Sequence, residues 1–191
     1  LKPMADDNFT PTYLRNATAY GPSPRQRFDL VVNNLCGHAW CSKLIKMDSD
    51  GTPWRPFVHI LDISQAAACT LEAKREIVHN ETFNVGDNSE NYQVKDIAKT
   101  VSDTFPGCKL ELGSRGDDKR DYRVNFDKIN SKLPGFKCKY NVAMGARQLL
   151  KIFQAIDMPR DLFESRNHTR LKQIQHLIAT KQIDADFFWT N

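Results

Sequence analysis

An α/β or α+β fold is predicted by three features of the sequence. Stretches that alternate like strands are interleaved with stretches whose apolar residues recur at helical spacing. The 191 residues are 40% hydrophobic, enough to bury a real core in one domain or two small ones. No internal repeat or low-complexity segment breaks the alternation, so a helix bundle and a β-sandwich are both set aside.

The elements follow in order. Residues 12–17 (TYLRNA) read as a strand, and YGPSP at 20–24 is a loop marked by one glycine and two prolines. From 28 to 40 the apolar positions Phe28, Val31, Val32, Leu35 and Ala39 fall on one helix face. Residues 43–47 alternate like an edge strand and end in the turn DSDG, and 57–61 form a further short strand. Asp62 with Gln65 three residues on fits an N-cap and its reaching-back partner, opening a helix through AAACTLEAK. TFNV at 82–85 is a strand that closes on Gly86, and 94–105 form an amphipathic helix with Val94, Ile97, Ala98, Val101 and Phe105 on one side. KLEL is a strand, GSRGDDKRDYR at 113–123 a charged loop, and helices are expected over 127–133, 142–156 and 167–181. In the last of these, Leu171, Ile174, Leu177 and Ile178 form a stripe expected to pack on the core.

Charge and cysteine content narrow the function classes. Lys plus Arg at 27 against Asp plus Glu at 23 is an excess too small, and too interleaved with acids, to imply nucleic acid. Five cysteines without a C-x-x-C pair argue against a disulfide framework and for a reducing compartment. Cys36, His38 and Cys41 lack a fourth donor of suitable spacing, so no metal site is expected. No apolar run is long enough to span a bilayer and the first residues carry no apolar signal core, so the expectation is a cytoplasmic protein without a membrane partner.

Chemistry-bearing motifs are mostly missing. The nine glycines never form G-x-G, and no tyrosine is followed four residues later by lysine. Serine-hydrolase elbows, H-E-x-x-H pairs and Walker loops are absent as well. His59 and His79 sit among apolar neighbours with no paired nucleophile, which suits structural histidines.

Two cationic features remain. Arg55 follows a glycine turn and opens a strand, and a guanidinium held at such a junction presents a rigid donor fork that matches phosphate oxygens. An ordinary ion pair is the competing reading. The loop carrying Arg115, Arg120 and Arg123 around Tyr122 is either a self-paired solvated loop or a clamp for a diphosphate.

Four segments, taken in order, carry a resemblance: LRNATAYGPSPR (14–25), DGTPWRPFVHILDISQA (50–66), TFNVGDNSENYQVKDIA (82–98) and GDDKRDYRVNFDKI (116–129). Together they resemble the C-terminal half of the extended short-chain dehydrogenase/reductase family, the NAD-dependent nucleotide-sugar epimerases and dehydratases. The resemblance implies an α/β fold over residues 1–156, the last strands of a Rossmann-type sheet plus a small substrate-binding subdomain, with 157–191 a helical extension. It implies that Arg55, in RPFVHI, contacts the nucleotide diphosphate. Arg15, Thr18, Tyr20, Gly21 and Pro22 then fill the R-x-x-N-x-Y-G-P strand end, with Thr18 where many members carry asparagine near the sugar phosphate. Arg120 or Arg123, or less directly Arg115, supplies a second phosphate contact, and Asn33 belongs to a nucleotide-covering helix.

In that family a Gly-rich NAD turn and a Tyr-x-x-x-Lys pair lie upstream, so no catalytic residue is expected in this chain. It is expected to be a truncated part, inactive alone, of an enzyme that uses NAD or NADP and interconverts nucleotide-diphosphate sugars through a transient ketone. Loss of half a sheet would expose an edge, and a homodimer or other self-association is expected. A non-enzymatic nucleotide-binding or protein-interaction module is the alternative.

Overall fold

A computed structural model describes residues 2–114 and 120–190. Its strands are β1 (Tyr13–Asn16), β2 (Thr18–Tyr20), β3 (Leu44–Lys46), β4 (Trp54–His59), β5 (Thr82–Val85), β6 (Asn91–Gln93) and β7 (Lys109–Glu111). The helices are α1 (Val31–Ser42), α2 (Ile60–Glu72), α3 (Arg75–Val78), α4 (Val94–Thr104), α5 (Asp127–Lys132), α6 (Val142–Ala155), α7 (Arg160–Glu164) and α8 (Arg170–Ala179). Short 3-10 turns cover Lys2–Met4, Asn88–Glu90 and Arg166–His168.

Parallel pairing dominates. β1 pairs with β5 and β2 with β4, both parallel, while β4 takes β6 antiparallel on its other edge. β3 and β7 form a separate parallel pair. β1 and β2 are one extended run that changes partner at Ala17, whose N–H still donates to Val85 O at 3.1 Å. The expected strand therefore continues past residue 17 to Tyr20 before the proline loop begins.

β4 divides the interior. Successive strand side chains point to opposite faces, and accordingly Phe57 joins a core with Val32, Ile97 and Leu149 while Val58 joins a second core with Phe83, Phe126 and Ile129. The strand begins at Trp54 and ends at His59, so it starts three residues and ends two residues ahead of the 57–61 stretch read from the sequence. The apolar faces of α1, α4 and α6 close the first core, as their spacing predicts.

Three sequence readings are corrected. The N-cap of α2 is His59, whose Nδ1 accepts from Leu61 N–H at 3.2 Å, so Asp62 lies inside the first turn. Its buried carboxylate serves a distant segment, accepting from Lys139 N–H at 3.0 Å and Tyr140 N–H at 3.2 Å. Helix α1 starts at Val31, leaving Phe28 as a buried loop residue under a T-shaped contact with Phe163. The stripe on α8 does not pack: Leu171, Ile174 and Ile178 stay exposed, as do Phe187, Phe188 and Trp189 beyond it. Residues just before α8 are better tied in, since Trp40 Nε1 donates to Met158 O and Phe28 N–H to His168 O, each at 2.9 Å.

All five cysteines are free thiols, and no group of three or more metal-binding side chains occurs among the described residues. Among those residues no helix is long and apolar enough to cross a membrane.

Candidate substrate cleft

Residues 120–126 are not strand by pairing pattern, yet their backbone is pinned along its length. Trp54 N–H donates to Asp121 Oδ1 at 2.8 Å and Tyr122 N–H returns to Trp54 O at 3.3 Å. Asn91 then does for Val124 what a neighbouring strand would do, accepting its N–H at 2.9 Å and donating to its carbonyl at 3.1 Å. Asn88 Oδ1 accepts from Phe126 N–H at 2.8 Å. Short amide side chains at the 3-10 turn and β6 thus fix the charged start of a segment whose far end is anchored in the second core by Phe126, with Val124 packed against it.

Once fixed, the segment interlocks with β4. The Arg55 guanidinium lies 5.3 Å from the Tyr122 ring centre, and the Arg123 guanidinium 4.9 Å from that of Trp54. Arg55 Nη1 also donates to Trp54 O at 2.7 Å, which holds the half-buried side chain close to its own strand. Cation–π contact of this kind helps to orient a planar fork.

Two clefts flank the segment. One, of about 280 Å³, is lined by Arg15, Thr18, Pro56, Asn84, Tyr122 and Phe126 among others. The other, about 360 Å³, lies beside Trp54, Asn88, Asn91 and Arg123. Of the residues singled out from the sequence, Arg55, Arg123 and Thr18 are brought into this neighbourhood, and Arg120 stands exposed at the start of the same segment. Arg115 lies outside the described residues. Asn33 is elsewhere: 3% exposed, it accepts from Gly21 N–H and donates to Arg27 O, both at 3.0 Å, and so braces the loop after β2.

β4 also borders a buried polar group that the sequence reading did not single out. Tyr92 is the cross-strand partner of Arg55. Its hydroxyl donates to Glu90 Oε1 at 3.0 Å, and Tyr20 OH donates to Glu90 Oε2 at 3.4 Å. Burial pushes the Glu90 carboxyl up to about 7 against the lowering effect of both hydroxyls. The same burial, with the carboxylate alongside, raises Tyr20 and Tyr92. A Glu in NSENY carries no local signal for this, because burial is decided by β6 packing on β4.

His59 is fully used. With Nδ1 accepting from Leu61 N–H, the proton resides on Nε2 and is donated to Gln148 Oε1 at 2.8 Å, and the ring stacks on Tyr140 at 4.3 Å. Burial lowers its pKa, keeping the neutral tautomer. It supports β2 and α6 and has no nucleophile to serve.

Comparison with known proteins bears on the family that the sequence motifs resemble. Residues 2–86 match the model of the NAD dependent epimerase/dehydratase family. That match covers 85 of the 191 residues, under half of the chain. The fold is shared with solved structures beyond that segment: UDP-glucose 4-epimerase with UDP-glucose from Thermotoga maritima aligns over 79% of this chain at 24% identity and a TM-score of 0.66. UDP-glucuronic acid 4-epimerase from Bacillus cereus, in complex with UDP-glucuronic acid and NAD, aligns over 75% at 22% identity and a TM-score of 0.61. dTDP-glucose 4,6-dehydratase from Bacillus anthracis, in complex with NAD, gives 74%, 19% and 0.60. This chain accounts for 48%, 45% and 44% of those three chains, just under half of each. The architecture is therefore a partial Rossmann-like epimerase/dehydratase fold with small parallel sheets. As for NAD itself, the epimerase/dehydratase segment present here contains no G-x-G turn, and its helices α2 and α4 follow their strands directly. The described residues do not fit the cofactor's phosphates.

Proposed function

We propose that this chain is the substrate-binding part of an NAD-dependent nucleotide-sugar epimerase or dehydratase, and that it grips the diphosphate of a nucleotide sugar between Arg55 and the 120–126 segment. The observation that carries the reading is the interlock of Arg55 with Tyr122 and of Trp54 with Arg123: Tyr122 lines a cleft with Arg15 and Thr18, and Arg123 and Trp54 line the neighbouring one. Arginine forks pair with phosphate oxygens two at a time, and the aromatic faces fix where the forks stand. In the solved relatives whose names include a nucleotide sugar, the ligand carries just such a diphosphate. This chain's own contribution is grip and orientation; a uniform grip lowers a dissociation constant without speeding chemistry.

Calorimetry with UDP-glucose tests this. Arg55→Ala is expected to weaken binding roughly ten- to a hundredfold, the range for losing charge-assisted hydrogen bonds, and Arg55→Lys to recover only part of it. Unchanged affinity in Arg55→Ala, or no heat from the wild-type chain, overturns the reading. The exposed α8 stripe is the one feature that favours an interaction module instead, and that reading predicts no UDP-glucose heat at all.

Self-association belongs to the same proposal. β1 pairs with β5 on one edge only among the described residues, and an open strand edge templates further pairing. Sedimentation is expected to show a concentration-dependent dimer; a monomer at all concentrations removes this part.

A further inference from the structure

A third cavity, of about 400 Å³, lies between the loop at 22–28 and the C-terminal end of α6. Its wall is Phe28, Leu149, Ile152, Phe153, Met158 and Leu162, and no acidic or basic side chain apart from His168 reaches it. A volume of this size suits a small molecule, and the absence of Asp, Glu, Lys and Arg from the wall excludes the nucleotide sugar. The loop contributes one polar anchor. Gln26 Oε1 accepts from Ser23 N–H at 3.1 Å, which fixes the amide's orientation, because a flipped amide would set donor against donor. Gln26 Nε2 is left buried without any hydrogen-bond partner. A second polar edge comes from His168: its Nδ1 donates to Gln26 O at 3.1 Å, and the ring stands edge-on to Phe28 at 5.7 Å. A buried donor with no acceptor costs free energy that an arriving oxygen would recover.

We propose that this cavity binds a compact, neutral molecule with an aromatic or branched apolar body and one carbonyl or hydroxyl oxygen, which accepts from Gln26 Nε2. The site is separate from the two clefts beside the 120–126 segment and shares no lining residue with them. Charge selects against phosphates here and for them there.

The test uses acetophenone and ethylbenzene, matched in shape and differing in the carbonyl, followed by amide chemical shifts of the whole chain. Acetophenone is expected to bind with shifts confined to residues around 22–28, 149–162 and 168, and more tightly than ethylbenzene. Gln26→Leu is expected to cut acetophenone affinity about fivefold, the worth of one neutral hydrogen bond, while ethylbenzene affinity holds or rises. Ile152→Trp, at the 40% exposed rim, fills the cavity and should abolish both, with melting temperature confirming that each variant folds. Binding of neither probe, equal loss of both on Gln26→Leu, or undiminished binding to Ile152→Trp overturns the proposal. UDP-glucose binding by the same variants stays as in wild type, so this site and the substrate cleft fail independently.

Discussion

Gly21→Ala lowers the melting temperature by about 10 °C. Two independent costs add. Gly21 has φ of +103°, a conformation that L side chains rarely adopt, and holding one there costs about 1–3 kcal/mol. The added Cβ would also stand 2.4 Å from His59 Nε2. That ring cannot step aside, being fully buried, hydrogen-bonded through both nitrogens and stacked on Tyr140. Overpacking against a fixed group costs about another 1–3 kcal/mol, for about 4 kcal/mol in all, at roughly 2–4 °C per kcal/mol in a chain of this size. A double-mutant cycle separates the parts: in a His59→Ala background only the backbone cost should remain. A fall of less than about 2 °C in the single variant would mean that the turn after β2 adapts, and the account of this turn would be wrong.

That glycine also shows what could be read from the sequence and what could not. The tyrosine-glycine-proline run marked a turn, and the turn is there, because glycine and proline act through local backbone preference. The same holds for β5 and α4, where a period of 2 and a period of 3.6 carry the assignment alone. Nothing local says that His59 will lie under Gly21, since that depends on β2 pairing with β4. Asp62 misled for the matching reason: at its position a capping carboxylate and one that serves the backbone of residues 139 and 140 look alike. In the candidate site, Arg55, Arg120 and Arg123 were legible as cations, and only the resemblance implied phosphate contacts for them. Asn88 and Asn91, which hold that segment in place, were not, because an asparagine replacing a strand neighbour has no spacing rule. The α8 stripe has the pattern of a packed helix face and lies open to solvent, which periodicity cannot distinguish.

Glu90→Gln is expected to flatten the dependence of stability on pH between about 4.5 and 7. In the folded chain the carboxyl's pKa is raised to about 7 from its ordinary 4.5, chiefly by burial and further by Asp87 and Asp62. The folded state therefore holds this proton more tightly than the unfolded chain does. Below about pH 4.5 both states are protonated and the group is neutral to folding; as pH rises toward 7 the unfolded chain releases its proton first, and stability falls. The full penalty, on the order of 3 kcal/mol, is present above pH 7. Glutamine keeps an acceptor for Tyr92 and carries no charge to desolvate, so the variant should match wild type near pH 4 and exceed it at pH 8 by up to that amount. His59 acts in the opposite sense: its lowered pKa makes stability rise with pH up to about 6.5. Asp62, raised by burial, acts in the same sense as Glu90. Both are common to the two chains and largely cancel in the difference curve. Urea unfolding at pH 4, 6 and 8 supplies that curve. If the two proteins run parallel across the range, Glu90 is ionised at little cost. The pair of tyrosines would then be solvating it fully, which their two hydroxyl contacts, one at 3.4 Å, are too few to do.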